Sequence, residues 1–432
     1  MSETLKAVWR KNRRVLSNFF SLSVLQCATY LAPLITLPYL FRVLETSQYG
    51  LIEFARALSL YFVMFTEYGF NLSATREISV HREDSEKLSE IFSAVLLLKL
   101  ALLVLSFLLM ALAVLAVPKL RGDWVVYFLA FGAVVGQCVF PIWLFQGLER
   151  MKIIAVLSTL SRAAATVAIF VFIQKSSHYI YVPLIYSLGT IAMGVVGLVI
   201  ALRDFPVRFV SPSKVALRRE LANGWHLFLS RMSTTLYTTS NTVILGFFTN
   251  NTLVGYYAAG DKIVRAIQGL QLPLSQAIFP HIGRLAAASR AAALQFTAKV
   301  ARMVFVVTFV LSVGLLLGAP LICRVVLGTA SEVSVLVMRL LSPLPFVIGL
   351  SNIFGVQIMV NFGLKKTLTR ILGAAGVLNT ILAFALVVPF YHGGICVAVL
   401  ATEIFVTATM YVRLRKKGLD VFNAEDVRRE DP

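Results

Sequence analysis

Cationic side chains fall within, or at the ends of, the long apolar stretches of this sequence, among them Arg42, Arg56, Lys99, Arg162, Arg231, Lys262, Arg265 and Arg339. Ionisable groups in such surroundings usually face a water-filled cavity or an oppositely charged partner. Acidic residues are fewer in the same stretches. This excess of positive charge predicts a wet cationic cavity that binds an anionic group.

Two of these cations have an acidic neighbour at helical spacing. Arg56 follows Glu53 by three residues and Arg265 follows Asp261 by four, which are the spacings of ion pairs within a helix. A structural pair explains Arg56 as well as a place in the cavity does. Lys262 has no acid at these spacings and points about 100° away from Asp261 around the helix, so it is a cavity candidate.

Arg162 and Arg231 are the strongest cavity candidates, because their own apolar stretches contain no acid. Arg42 and Arg339 complete the set that we expect to contact the ligand. Lys99 lies about two to three turns from the end of its stretch. Its ammonium either reaches back to the membrane surface or lines the cavity, and the spacing favours neither.

Composition places these charges in an all-helical polytopic membrane protein. Of the 432 residues, 58% are hydrophobic and only 14% are charged, which is outside the range of soluble globular chains. About twelve apolar stretches are long enough to cross the ~30 Å hydrocarbon layer as helices. They cover residues 17–42, 52–73, 90–117, 123–145, 153–174, 180–202, 224–248, 254–282, 298–323, 333–361, 368–388 and 394–412.

The net charge of +19 does not indicate a nucleic-acid partner. Lysine and arginine cluster in short segments between the apolar stretches, where positive charge orients membrane helices. Counted on alternate sides of the membrane, most of them lie on the side of the two termini. Both termini are therefore expected in the cytoplasm.

Two segments of the first half return in the second. Tyr49-Gly50 aligns with Val254-Gly255 at an offset of 255 − 50 = 205, and both pairs sit in a polar loop before an aromatic-rich helix start. FQGLERMK, which follows the fourth stretch, aligns with NFGLKK after the tenth, with Gly147 opposite Gly363 at an offset of 363 − 147 = 216. The repeat predicts two six-helix lobes, residues 1–210 and 211–432, around a central cavity.

Four segments carry a resemblance to a known family: TLPYLFRVLETSQYGL, YGFNLSATREIS, PIWLFQGLERMK and VGYYAAGDKI. In that order they resemble the O-antigen flippases of the Wzx type, which belong to the multidrug/oligosaccharidyl-lipid/polysaccharide exporter superfamily. The resemblance extends over essentially the whole chain. It does not identify the sugars of the substrate.

The resemblance implies a flippase of the bacterial inner membrane. Such a protein moves undecaprenyl-diphosphate-linked O-antigen oligosaccharides from the cytoplasmic to the periplasmic leaflet by alternating access. An unaided crossing is negligible, because each unpaired hydroxyl in hydrocarbon costs roughly 4 to 8 kcal/mol. Membrane lipid is a further expected partner, and an O-antigen polymerase and a chain-length regulator are candidate partners.

Two other functions are alternatives. A drug or cation exporter of the same superfamily would have an acidic cavity, whereas the excess here is basic. A membrane-embedded glycan polymerase or ligase would need catalytic periplasmic loops, and the longest predicted one has only about ten residues. The cationic excess and the short loops favour the flippase.

Asp261 and Glu403 are the candidates for coupling transport to a proton or a sodium ion. An internal pair with Arg265 is the favoured explanation of Asp261, because that partner is already in place. Removal of product on the far side is an alternative source of driving energy. The rings of Trp124, Trp143, Tyr256 and Tyr257 are expected to anchor helices at the membrane interface.

Signatures of enzymatic chemistry are absent from the sequence. The four cysteines, Cys27, Cys138, Cys323 and Cys396, occur singly and are expected to be small buried hydrophobic residues. The sequence has no G-x-x-x-x-G-K-[ST] loop for a nucleotide and no His/Cys metal-binding spacing. We therefore expect no catalytic residue, no metal and no cofactor other than a coupling ion.

Overall fold

The computed structural model describes residues 33–419, and of residues 230, 233, 234 and 236–238 it describes only the backbone. The described residues are almost entirely helical and contain no strand, which confirms the all-helical part of the predicted fold class. They form two compact units that divide between Met232 and Ser233. The predicted boundary at residue 210 stays a prediction, and Cys27 and most of the first predicted span lie outside the described residues.

The first unit is a bundle of helices of very different lengths. In chain order they are α1 (Pro33–Val43), α2 (Thr46–Glu67), α3 (Phe70–Val80), α4 (Ser85–Ala116), α5 (Pro118–Arg121), α6 (Trp124–Val139), α7 (Ile142–Gly147), α8 (Met151–Phe172) and α9 (Tyr181–Asp204). A 3-10 turn, Ser176–Ile180, precedes α9. The next helix, α10 (Lys214–Thr238), begins in the first unit and ends in the second.

The second unit is also a bundle of helices. Its helices are α11 (Ser240–Phe248), α12 (Asn251–Gly269), α13 (Gln271–Ala288), α14 (Arg290–Leu327), α15 (Glu332–Leu341), α16 (Leu344–Asn352) and α17 (Lys365–Arg415). A π-helix, Ile353–Val360, continues α16. Tyr391, with φ +49°, breaks α17 into two helical arms.

Seven segments of the described chain are long and apolar enough to cross a membrane: Ser85–Ala116, Trp124–Gly147, Met151–Phe172, Ser176–Asp204, Arg290–Leu327, Glu332–Val360 and Lys365–Arg415. The chain is therefore a multi-pass membrane protein. The count of twelve spans stays a prediction, because several predicted spans consist here of two shorter helices. Residues 52–73 break at Tyr68-Gly69, where both residues have positive φ.

The repeated loop has equivalent helix starts in the two units. Glu45 caps α2 and Asn250 caps α12, at the predicted offset of 250 − 45 = 205. The side chain of Asn250 accepts a hydrogen bond from the amide of Leu253, and Glu45 forms a reciprocal capping box with Gln48. The first repeat is thus present in the structure with the register read from the sequence.

The register of the second repeat differs from the prediction. The left-handed residue that ends the helix is Glu149 in one unit and Gly363 in the other, an offset of 363 − 149 = 214. The next amide in each case donates to the carbonyl five residues earlier, Arg150 to Phe145 over 2.7 Å and Leu364 to Met359 over 2.7 Å. These are matching Schellman caps, so Gly147 is not the equivalent of Gly363.

Gly147 has a packing role instead. A Cβ on Gly147 would lie 2.5 Å from a side-chain carbon of Ile78 and 3.0 Å from the carbonyl oxygen of Thr75. The hydroxyl of Thr75 also donates to the carbonyl of Trp143 over 3.2 Å. Helix α7 therefore lies directly against α3, and two of the segments that carry the family resemblance form one packed structure.

Two of the four aromatic side chains that the sequence places at the membrane interface lie in the interior, whereas Trp124 is 54% exposed. Trp143 is fully buried in a core with Phe70 and Phe92, and Tyr257 is buried in the second unit. The prediction that these two rings anchor helices at the interface is wrong, because tertiary packing covers them. Cys138, Cys323 and Cys396 are free and buried, as predicted.

Candidate functional site

One charged cluster of the first unit lies on α2. The guanidinium of Arg56 is 3.7 Å from a carboxylate oxygen of Glu53, one helical turn earlier. The side chain of Arg56 is 48% exposed, so this ion pair is partly accessible to solvent. The predicted pairing is therefore present, and it leaves Arg56 accessible to a ligand.

Arg162 of α8 joins this cluster from another helix. Its half-buried guanidinium lies within electrostatic range of that of Arg56. The Tyr186 side chain of α9 hydrogen-bonds with Thr36. It also interacts electrostatically with Arg56 and Glu53. Arg162 adds a second positive charge to that of Arg56, and an excess of positive charge suits an anionic group.

Arg231 of α10 has an acidic partner on a different helix. Its Nη2 lies 3.2 Å from Oε2 of Glu67, at the end of α2. Arg231 is 52% exposed, whereas Glu67 is largely covered. The charge of Arg231 is thus balanced by an acid on another helix, since its own apolar stretch contains none.

Lys99 of α4 neither reaches the surface nor lines an open space. Only 1% of the residue is exposed, and its Nζ donates to the backbone carbonyl of Gln137 over 3.1 Å. The negative charge of Glu67 attracts the same ammonium. Both predicted positions for Lys99 are therefore wrong, because a hydrogen bond to a backbone carbonyl holds its ammonium inside the unit.

In the second unit, Asp261 and Glu403, the two candidates for ion coupling, both interact with Arg265. Nε of Arg265 donates to Asp261 over 2.6 Å, and the buried carboxylate of Glu403 on α17 also attracts Arg265. Tyr257, one turn before Asp261, interacts electrostatically with Asp261 and Arg265. Lys262 is half-buried on the next position of α12.

Arg42 and Arg339 lie at helix ends with exposed side chains. Arg42 is the penultimate residue of α1, and Arg339 is in the last turn of α15. Their contact with a ligand stays a prediction. Within residues 33–419 no group of three or more His, Cys, Asp or Glu side chains is arranged to hold a metal ion.

Glu67 and Tyr186 are site residues that the sequence did not single out. Glu67 is a carboxylate within an otherwise apolar part of the second predicted span, and that position alone is a signal for a buried cationic partner. Tyr186 gives no such signal, since a tyrosine in an apolar stretch is common. Only the packing of α9 against its neighbours brings its hydroxyl near Arg56.

The segment that leads into α10, and the first part of α10 itself, pack against other helices of the first unit. The amides of Arg208 and Val210 donate to the hydroxyls of Ser89 and Ser93 on α4, over 3.0 and 2.9 Å. Further along, the ring of Phe228 stacks on Tyr68 with centroids 5.0 Å apart. These contacts fix the part of α10 that precedes Arg231.

An acidic and basic cluster lies at the start of the same helix. Arg219 donates to the buried Glu220 over 3.3 Å and is 3.7 Å from Glu90 of α4. Burial raises the pKa of the Glu220 carboxyl above its ordinary value, although the neighbouring Arg219 acts in the opposite direction. The cluster joins α4 to α10 and so helps to position Arg231.

Comparison with known proteins identifies relatives along almost the whole chain. The family described as "Polysaccharide biosynthesis protein" matches residues 15–286, more than half of the sequence. A protein of Escherichia coli (strain K12) named as an O-antigen transporter is 36% identical over 402 residues, which cover 93% of this chain and 97% of that protein. One of Shigella dysenteriae with the same name is 26% identical over 397 residues, covering 91% and 98%.

Solved structures with the same fold are membrane transporters. The lipid II flippase MurJ in an inward closed conformation has a TM-score of 0.72 at 12% identity, covering 93% of this chain and 87% of MurJ. An inward-facing multidrug resistance MATE family transporter of the MOP superfamily has a TM-score of 0.67 at 15% identity, covering 93% and 98%. At these identities the likeness shows the fold.

Proposed function

Since the chain belongs to the polysaccharide biosynthesis protein family, whose O-antigen transporters it resembles over almost its whole length, we propose that it is an O-antigen flippase. It translocates undecaprenyl-diphosphate-linked oligosaccharides from the cytoplasmic to the periplasmic leaflet of the bacterial inner membrane. The similarity to the Escherichia coli protein, along 93% of this chain, carries the proposal. The named relatives are transporters, so the protein is not an enzyme.

Alternating access of two six-helix lobes provides the route. The polyprenyl tail remains in lipid throughout, while the sugars and the diphosphate cross a wet cavity. Sugar hydroxyls and phosphates need polar partners along this route, because each unpaired group in hydrocarbon costs roughly 4 to 8 kcal/mol. A cavity lined by arginine and lysine meets that need for the diphosphate.

The cluster around Arg162 and Arg56 is the first binding point that we propose for the diphosphate. Both guanidinium groups belong to the first unit, and together they outweigh the charge of Glu53. Arginine suits phosphate because its planar guanidinium offers two parallel donors. The exposed side chain of Arg231 is the second point, and Lys262, Arg42 and Arg339 complete the cationic path.

Ion coupling is a further part of the proposal. Asp261 and Glu403 both attract Arg265, so protonation of either carboxylate changes how strongly α12 and α17 are held together. The 2.6 Å bond between Asp261 and Arg265 supports a structural pair for Asp261. Glu403, which is buried on α17, is the second candidate to exchange a proton or a sodium ion.

Export of O-antigen also requires later steps, for which a polymerase and a chain-length regulator are the partners that we propose. Complementation tests the flippase assignment directly. A strain lacking its O-antigen flippase should regain O-antigen at the cell surface when it expresses this chain, provided that its oligosaccharide is accepted. Failure across strains with different oligosaccharides, despite normal amounts of protein in the membrane, would remove the assignment.

A further inference from the structure

Three aromatic side chains of the first unit lie together where α10 packs against the junction of α2 and α3. The ring of Tyr68 stacks on that of Phe228, with centroids 5.0 Å apart and an angle of 15° between the planes. The indole of Trp225 lies 6.4 Å from Tyr68 and 6.0 Å from Phe228. We call these three rings the aromatic shelf. Phe228 is 8% exposed and Trp225 is 45% exposed, so the shelf has a buried end and an open end.

The backbone on both sides is shaped to hold this shelf. Tyr68 and Gly69, between α2 and α3, have positive φ values of +43° and +82°. A Cβ on Gly224 of α10 would lie 2.7 Å from the carbonyl oxygen of Tyr68 and 3.0 Å from a carbon of its ring. The missing side chain of Gly224 therefore leaves the space that the phenol ring fills. A tyrosine with positive φ is uncommon, and such strain is concentrated at binding sites.

The open end of the shelf has polar surroundings. Asn223 and His226, on either side of Trp225 along α10, are also exposed. With 25 residues α10 is long enough to cross a membrane, yet it is not one of the seven apolar segments. Polar side chains of such a helix usually face water or polar partners rather than lipid. An exposed indole between an amide and an imidazole suits a sugar, because the C–H face of a pyranose is apolar while its hydroxyls need donors and acceptors.

The aromatic shelf leads along α10 to a cation of the proposed site. Trp225, Phe228 and Arg231 follow one another at intervals of three residues. Arg231 pairs over 3.2 Å with Glu67, the residue before Tyr68. Trp225 and Arg231 are 231 − 225 = 6 residues apart, which is a rise of about 9 Å along the helix. A sugar bonded directly to a diphosphate at Arg231 lies within this reach.

We propose that the aromatic shelf is the subsite for a pyranose ring at the diphosphate end of the lipid-linked oligosaccharide. The C–H face of the sugar covers the indole of Trp225, and Asn223 and His226 bond its hydroxyls. The inference rests on the proposed function and deepens it, because Arg231 is assigned there to the diphosphate. In the predicted topology Trp225 lies near the cytoplasmic end of its span, so the subsite receives the sugar on the side from which substrate enters.

Two lipids that differ only in the sugar test this subsite. The purified full-length protein in phosphatidylcholine nanodiscs is titrated with undecaprenyl diphosphate and with undecaprenyl-diphosphate-linked N-acetylglucosamine. The wild type should bind the sugar-bearing lipid more tightly. Trp225→Leu should raise the Kd of that lipid about five- to tenfold, equivalent to about 1.0 to 1.4 kcal/mol. The same change should leave the Kd of the sugarless lipid within about twofold of the wild-type value, and Trp225→Phe, which keeps an aromatic face, should lose less.

Trp124→Leu is the matched control for the loss of an exposed indole. Trp124 is 54% exposed, belongs to α6 and is not part of the aromatic shelf, so its replacement should change neither Kd. Equal losses for the two lipids in Trp225→Leu would show that the indole supports the fold or the diphosphate contact instead. That result, an unchanged Kd for the sugar-bearing lipid, or a wild type that binds both lipids equally would overturn the inference.

Failure of the proposed function gives a different pattern. If Trp225→Leu shows the loss that depends on the sugar but no strain is complemented by the wild type, the sugar subsite stands and the flippase assignment does not. If strains are complemented but Trp225→Leu binds both lipids as the wild type does, the sugar subsite is removed and the flippase assignment stands.

Discussion

Arg162 is one of the two cations that the sequence favours most for the cavity. Its apolar stretch contains no acid, and it interacts electrostatically with Arg56 in the structure. Arg162→Ala should therefore abolish or strongly reduce O-antigen export while the protein remains at normal amounts in the membrane. Arg162→Lys should retain part of the export, because a diphosphate needs positive charge even without the planar fork.

Arg82 provides the matched control for this change. It is an exposed arginine in the turn between α3 and α4 and belongs to none of the helices that form the cluster. Surface labelling of O-antigen and immunoblotting of membranes measure export and abundance together. Normal export by Arg162→Ala would show that this arginine is structural or peripheral. Loss of export by Arg82→Ala would show that the effect of Arg162→Ala is not specific to the cluster.

The pair of Asp261 and Arg265 gives a second test at single residues. If the pair is structural, Asp261→Asn leaves an uncompensated cation and lowers the melting temperature, and Asp261→Asn with Arg265→Gln recovers much of the loss. If Asp261 is a coupling carboxylate, Asp261→Asn instead gives a normally stable protein with slow transport that no longer depends on pH. We expect the first result, because the two side chains are 2.6 Å apart.

Local charge pairs could be predicted from the sequence, and distant ones could not. Helical spacing alone places Glu53 next to Arg56 and Asp261 next to Arg265, and both pairs are present. Glu67 and Arg231 are 231 − 67 = 164 residues apart, and only the packing of α10 on α2 brings them together. The same holds for Lys99, whose partner is a backbone carbonyl that a side-chain pattern does not reveal.

Close packing of helices by glycine can be tested at the scale of elements. A Cβ at Gly136 of α6 would overlap the backbone of Thr190 on α9, and one at Gly194 would lie 2.5 Å from the carbonyl oxygen of Gly136. Gly136→Ala should therefore separate α6 from α9 and cost about 1 to 3 kcal/mol of stability. Thermal unfolding in detergent measures this loss.

Gly314 is the control for the glycine change. It lies within α14, and a Cβ there would have nothing within 4 Å. Gly314→Ala should leave the melting temperature equal or slightly higher, since alanine favours helix more than glycine does. Equal losses in the two variants would mean that the contact between α6 and α9 is not the cause.

The repeat shows how far elements can be read from sequence. The helix starts after Glu45 and Asn250 follow from their capping chemistry, and their register is the predicted one. The two Schellman caps were misaligned by two residues, because glycine was taken as the marker of the helix end. In the first unit that left-handed position is occupied by Glu149, and the nearby Gly147 serves packing instead.

Topology is the prediction that belongs to the whole molecule. Reporter fusions after Asn12, near Pro212 and after Asp426 should all report the cytoplasm, because lysine and arginine concentrate on that side of the predicted spans. Alkaline phosphatase should be inactive and green fluorescent protein fluorescent at all three points. Phosphatase activity near Pro212 would contradict two lobes of six helices each.

The fold class could be predicted because hydrophobic length and composition suffice for it, and the family resemblance agrees with the relatives found. The number of spans is harder to read. Breaks such as those at Tyr68-Gly69 and Phe140-Pro141 divide a stretch into two helices without changing its apolar character. The arrangement of charges across helices depends on these breaks.

Translocation by the purified protein tests the central claim most directly. Proteoliposomes contain the protein and an undecaprenyl-diphosphate-linked oligosaccharide, and a lectin or a glycosidase added outside measures how much of the oligosaccharide each leaflet exposes. The account predicts that the inner-leaflet oligosaccharide becomes accessible with the wild-type protein, and much more slowly with Arg162→Ala. Equal accessibility with wild type, Arg162→Ala and protein-free liposomes would contradict it.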